Sequence, residues 1–213
     1  MSRQRPSTPQ WPELLELALS AIDTLGECEW TWGGGTALAI HLEHRVSFDI
    51  GIFLTDSNSL RDLSPRRNAV VRNLSDNWQE PGHYIKIERP EGEIDFIVSR
   101  IFTEPGFRPW THGGRNLPLE TTTEILAKKL HWRGSNALAR DVFDLAAARM
   151  LDPGSFSEVV AGMPDGSRRM ADQIRRRIAR LKRELPLAVR PTASGEAVLT
   201  TDLLELATDL ETP

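Results

Sequence analysis

A mixed α/β half followed by an all-helical half is the fold class that the sequence predicts, and three patterns predict it. Strand-like alternation occurs at Phe48 to Leu54 and at Glu93 to Phe102. A glycine triplet, Gly33-Gly34-Gly35, separates a short apolar strand from a helix-like run. Beyond residue 120 the apolar residues recur at three- and four-residue spacing, the helical period. The division is residues 1–120 as an α/β core and residues 121–213 as a helical region.

The elements follow in order. Residues 1–10 are polar, hold two prolines and read as loose. Trp11 to Leu25 reads as a helix with Leu14, Leu15, Ala18, Leu19 and Ile22 on one face and Gly26 as its stop. Glu29 to Trp32 reads as a short strand, and Thr36 to Glu43 as a short helix directly after the glycines. Phe48 to Leu54 sets Phe48, Ile50, Ile52 and Leu54 against Asp49, Gly51 and Phe53. Ser57 to Asn73 reads as an amphipathic helix broken at Pro65, and Tyr84 to Glu88 and Glu93 to Phe102 as strands joined by Arg89-Pro90-Glu91-Gly92. Residues 103–118, rich in Gly, Pro and Trp, read as a loop. Thr121 to Glu124 offers a cap for a helix from Ile125 to Trp132, which Gly134 ends. Helices over Ala137 to Leu151, Phe156 to Ala161, Arg168 to Leu185 and Gly195 to Leu210 follow.

Composition bounds the function. With 213 residues, 39% apolar and 26% charged, the chain can bury a core, which excludes disorder throughout. Its single cysteine, Cys28, excludes an intrachain disulfide and a Cys-rich zinc site and reads as a small core residue. The longest uncharged apolar stretch, Trp30 to Leu42, has 13 residues against the ~20 that span a membrane. Glu13 and Glu16 precede any long apolar run, so the N-terminus does not read as a signal peptide and the expected location is cytoplasmic. A net charge of −4 excludes a globally basic coat, but residues 1–120 carry −5 and residues 121–213 carry +1.

The chemistry concentrates at the glycines and the strands after them. Glycines between a strand and a helix let the backbone approach phosphate, and the helix N-terminus adds free N–H groups and a positive dipole end. Thr36 offers a hydroxyl there. Asp49 and Asp95 lie on two predicted strands, and carboxylates on adjacent strands can share a hard cation such as Mg²⁺ together with substrate phosphates.

Trp32-Gly33-Gly34-Gly35-Thr36-Ala37-Leu38 followed by His44-Arg45-Val46-Ser47-Phe48-Asp49-Ile50 resembles the opening motif of the AbiEii/AbiGii toxin family, nucleotidyltransferase-fold toxins that include the MenT type. The resemblance continues at Glu124-Ile125-Leu126-Ala127-Lys128-Lys129-Leu130 and at Arg140-Asp141-Val142-Phe143-Asp144-Leu145, covering roughly residues 30–150. It implies a nucleotidyltransferase-like mixed sheet, Mg²⁺ as metal, NTP as substrate, tRNA as acceptor and a cognate antitoxin as partner. It places Gly34, Gly35 and Thr36 at the nucleotide phosphates, with Arg45 and Ser47 of the same motif in the nucleotide-binding set. Asp49 and Asp95 become metal ligands, Lys129, ahead of Lys128, the phosphate contact, and Asp141 the group completing the later motif.

One position departs. The family's strand motif is Asp-x-Asp, and here it reads Asp49-Ile50-Gly51. Residues two apart share a strand face, so the missing carboxylate stood beside Asp49. Two readings follow: a nucleotidyltransferase with a weakened site, or a non-catalytic module that binds nucleotide or antitoxin.

In the helical half, Glu124 and Lys128 are spaced as a helix ion pair. Lys129 and Arg133 are like charges on one face, a spacing that wants an anion between them, and a triphosphate is one candidate. By spacing alone, Asp141 and Asp144 read as a solvated acidic edge, and the five histidines as surface or packing residues. Arg168 to Leu185 carries eight basic and two acidic residues over an apolar stripe of Met170, Ile174, Ile178, Leu181 and Leu185. Its Arg175, Arg176 and Arg180 are the candidate RNA-phosphate contacts.

Overall fold

The computed structural model describes Thr8 and residues 10–212, so the expectation of a loose segment over residues 1–10 falls, but for Thr8 and Gln10, outside the described residues. The chain divides into two compact units. The first holds residues 1–37, 47–101 and 107–120; the second holds residues 38–46, 102–106 and 121–213.

The first unit is built on a seven-stranded mixed sheet. Its strands are β1 (Trp30–Gly33), β2 (Ile50–Leu54), β3 (Trp78–Gln79), β4 (Tyr84–Glu88), β5 (Glu93–Val98), β6 (Phe107–His112) and β7 (Arg115–Glu120), in the spatial order β3-β4-β5-β2-β1-β7-β6. The pairs β2–β5 and β1–β7 are parallel and the other four antiparallel. The alternation in β2 buries Ile50, Ile52 and Leu54 and leaves Gly51 and Phe53 partly exposed on the other face. In β5 Ile94 and Phe96 are buried in the same way, opposite Glu93 and Asp95. Helix α1 (Trp11–Ile22) buries Leu14, Leu15, Ala18, Leu19, Ala21 and Ile22, the predicted face plus Ala21, and packs on β2 and β5.

Two readings of the first unit change, the loop over residues 103–118 and the core position of Cys28. Residues 103–118 are mostly not loop, because β6 and β7 form a hairpin across Gly113 and Gly114, which both take positive φ. The Ser57 to Asn73 segment is helical on both sides of a break that contains Pro65, as its sequence indicates: α3 (Ser57–Asp62) and α4 (Ala69–Arg72), each with its own side-chain cap from Asp56 and Asn68. Cys28 is half-buried rather than a core residue, and burial raises its thiol above the ordinary value.

Helix α2 (Gly34–Leu42) follows β1 directly. Gly34 takes φ of 80°, a left-handed conformation that a side chain strains against, and this lets the strand turn into the helix with no loop. The second unit is helical: α5 (Thr122–Arg133), α6 (Ala139–Leu151), α7 (Pro153–Gly162), α8 (Pro164–Ala188) and α9 (Leu203–Asp209). The Thr121 hydroxyl accepts the Glu124 N–H at 3.2 Å, as a cap should. The helix expected over Gly195 to Leu210 is a 3₁₀ turn, Ala193–Thr200, followed by α9. No helix among the described residues is long and apolar enough to cross a membrane.

Candidate functional site

Candidate residues occur in both units. In the first, sheet register makes a row. Gly51 pairs with Gly33 on one side and with Asp95 on the other, and Asp95 pairs with Lys86 of β4. Asp49 lies one residue before β2, where its Oδ1 accepts the Glu93 N–H at 3.1 Å. An added Cβ at Gly51 meets nothing nearer than the Gly33 carbonyl oxygen at 3.4 Å, so a Cβ there makes only ordinary contacts, in register with Asp95.

The glycine turn supplies backbone rather than a hydroxyl. Thr36 is buried, donates to the Asp49 carbonyl and shares a 2.9 Å hydrogen bond with Ser47. Thr36 and Ser47 therefore tie the first turn of α2 to the segment that carries Asp49, and the hydroxyl is spent there. The N–H groups of Gly34 and Gly35 open the helix, the geometry that favours an anion.

Sequence reasoning missed Lys86. Its Nζ lies 2.5 Å from Glu93 and 2.9 Å from Asp95. Burial by itself would lower Lys86, but Asp95 and Glu93 outweigh it and raise its pKa. Burial pushes the Asp95 carboxyl up, against the pull of Lys86, with Glu93 and Asp49 adding repulsion. The available signal was the strand Tyr84-Ile85-Lys86-Ile87-Glu88, whose alternation puts Lys86 on the polar face.

The donor set can now be tested against the Mg²⁺ that the family resemblance implies. Asp49 gives an oxygen to a backbone N–H, position 51 has no donor, and Asp95 already faces an ammonium. Among the described residues no group of three or more His, Cys, Asp or Glu side chains converges as a ligand set. Mg²⁺ demands near-octahedral oxygen ligands. The residues present do not fit a two-cation centre.

The second unit gathers its charges on Asp144, which is fully buried. Arg45 holds it with a fork, Nε at 2.6 Å from Oδ1 and Nη2 at 3.0 Å from Oδ2. His44 Nε2 lies 2.8 Å from Oδ1 and Lys129 Nζ 2.9 Å from Oδ2. Lys129 also donates to Asp141 at 2.7 Å. Burial acts to raise the Asp144 pKa, but Arg45, Lys129 and the His44 hydrogen bond prevail and hold the carboxyl well below the usual carboxylate range. The imidazole of His44 stacks on Phe143 with centroids 5.8 Å apart. The backbone is fixed as well: Val46 N–H donates to the Arg190 carbonyl at 2.8 Å, and Gly195 packs so closely on the His44 carbonyl that it leaves no room for a Cβ.

These contacts correct several readings. Asp141 and Asp144 are buried rather than a solvated edge. The anion between Lys129 and Arg133 is Asp141, 2.7 Å from one and 3.7 Å from the other. His44 is a buried packing residue hydrogen-bonded to Asp144, and the Arg45 guanidinium is committed to Asp144. Lys128 is buried 3.4 Å from Glu124, whose other oxygen accepts the N–H groups of Phe102 and Thr103. On α8, Arg175 forks onto Glu211 and Arg180 pairs with Glu184, while Arg176 is exposed.

A family model described as nucleotidyl transferase AbiEii toxin, type IV toxin–antitoxin system, matches residues 17–191. No curated protein matches the sequence. Among solved structures, JHP933 from Helicobacter pylori aligns with a TM-score of 0.50 at 16% identity, covering 96% of this chain and 90% of that one. MenT4, a nucleotidyltransferase toxin from Mycobacterium tuberculosis, aligns with a TM-score of 0.42 at 17% identity, covering 94% and 81%.

Proposed function

Because the chain belongs to the AbiEii nucleotidyl transferase toxin family of type IV toxin–antitoxin systems, we propose that it is an attenuated toxin. In this reading the reaction is transfer of NMP from NTP to an acceptor, the tRNA 3′ end, with a cognate antitoxin as partner. The chain binds nucleotide and transfers at a strongly reduced rate. The observation that carries this reading is that position 51, the motif position two residues after Asp49 and directly opposite Asp95, is a glycine and brings no carboxylate.

In the first unit, the Gly34 and Gly35 N–H groups receive phosphate. Asp49 and Asp95 are the carboxylates that remain for a divalent metal, and without a partner at position 51 they hold it poorly. In the second unit, Lys129 is the cation assigned to phosphate, held in one orientation by Asp141 and Asp144. Lys128 and Arg45 leave the nucleotide-binding set because their side chains are only 4% exposed, whereas Lys129, though also paired with carboxylates, keeps 12%. The non-catalytic alternative is favoured by one contact, the Lys86 ammonium on Asp95.

The test is incorporation of radiolabelled NTP into total tRNA by the chain and by its Gly51→Asp variant. The variant is expected to gain Mg²⁺ affinity, to raise incorporation by on the order of 10²-fold or more, the scale of one transition-state interaction, and to arrest growth when expressed without antitoxin. Strong incorporation by the Gly51 chain sinks the attenuation. No incorporation by either chain, with Mg²⁺ binding restored in the variant, overturns tRNA transfer in favour of the non-catalytic module or a different acceptor.

A further inference from the structure

Of the six tryptophans, Trp132 alone is exposed among the described residues, at 61%. It sits in the last turn of α5 between His131 and Arg133, both also exposed. Hydration of an exposed indole is unfavourable, and most of this one is open to solvent. Its orientation is nevertheless supported. The His131 ring meets it edge-on, centroids 4.6 Å apart at 88°, and Phe102 lies 4.7 Å behind His131. Phe102 is in turn fixed through its N–H to the buried Glu124. The surroundings are basic. Arg133 is half-exposed, its guanidinium only 3.7 Å from Asp141. The exposed Arg169 begins beside Gly134, its Cβ 3.6 Å from where a Gly134 Cβ would stand.

An oriented, exposed ring with Arg133 next to it in sequence and the exposed Arg169 rooted beside Gly134 has the chemistry that binds single-stranded nucleic acid, stacking a base while arginines meet phosphate. We propose that Trp132 is a stacking platform for a nucleobase, with Arg133 and Arg169 as its phosphate contacts. The base is that of the incoming NTP or of the acceptor's terminal nucleotide. A base offers the indole a flat apolar face, and its phosphate answers the arginines. The inference rests on the nucleotidyl-transfer reading and names a residue that the family motifs do not include.

The test uses the full chain and two fluorescent probes: a single-stranded RNA ending in 2-aminopurine, and 2-aminopurine riboside triphosphate. Stacking on an indole quenches this base. The probe from the true source is expected to be quenched on binding by the wild type. Trp132→Leu should bind it roughly 5- to 150-fold more weakly, the range set by one base stack. Trp132→Phe should keep most of the affinity with less quenching. Thermal melts of both variants should match the wild type, since the side chain is exposed. Wild-type affinity and quenching in Trp132→Leu overturn the platform and leave the transfer reading standing. A wild type that binds neither probe overturns both. Unchanged probe binding with loss of self-association in sedimentation assigns the indole to a second copy of the chain and also overturns the proposal.

Discussion

The two charged clusters differ in how completely their charge is spent. In the first unit, Lys86, Glu93 and Asp95 pair at the open face of the sheet with side chains 21–32% exposed, and the neighbouring position 51 contributes nothing. In the second, Asp144 is sealed from solvent and takes contacts from Arg45, His44 and Lys129. An open cluster can still be altered by a ligand or by a new carboxylate. A sealed one is a structural hub whose removal leaves cations buried and unpaired. In the proposed function, the first cluster is therefore where activity can be tuned, and the second is where it can only be lost.

The largest effect should come from the hub. Asp144→Asn keeps the shape and removes the charge, and breaking a buried pair costs about 3–5 kcal/mol. Denaturant melts at pH 7 should read a loss of that order. The sign with pH follows from the depressed carboxyl. Its contribution is present above the unfolded value near 3.9 and disappears as the pH falls through the lower folded value. The variant should thus lose the corresponding part of the acid slope below about pH 4, and a variant melting like wild type at pH 7 would break the contrast.

Next comes the choice between the two lysines. Lys129→Ala should weaken NTP binding by about 1.5–3 kcal/mol, the scale of a charge-assisted phosphate contact, while Lys128→Ala should lower stability and spare affinity. Calorimetry and melting on both variants decide, and equal affinity losses, or none in either, defeat the assignment of Lys129.

The smallest effect concerns α8. Replacing Arg175, Arg176 and Arg180 with Gln should barely move the melting temperature, because exposed pairs such as Arg175–Glu211 and Arg180–Glu184 contribute little. The salt slope of tRNA binding should flatten by about one unit for each phosphate interaction removed. Since two of the three arginines are already paired, we expect most of that change from Arg176. Identical slopes would direct this helix to another partner.

The sequence revealed what depends on local period and hid what depends on distant partners. The alternation in β2 and β5 and the spacing in α1 were legible because each element buries a face of its own. The β6–β7 hairpin was not, because Pro109 and Pro118 read as breakers. They sit opposite each other, Pro109 on the edge strand where a missing N–H costs little and Pro118 beside the single pairing of β7 with β1. The Gly113-Gly114 pair was the hairpin signal available. Two-residue β3 is too short for any period. Among the site candidates, Asp49 and Lys129 stood out through motif residues and Asp95 through the strand that carries it, whereas the burial of Asp144 depends on His44 and Arg45, about a hundred residues away in the chain. Carboxylates spaced three apart on a helix look solvated until such partners are known.

The vacancy at residue 51 also has a genetic meaning. Every glycine codon becomes an aspartate or glutamate codon by a single transition at its middle base. The backbone at residue 51 accepts the Cβ such a change would add with only ordinary contacts. In the attenuated-toxin reading, a gene encoding this chain is disarmed but remains one replication error from rearming, and lineages that had meanwhile discarded the antitoxin would not survive the reversal.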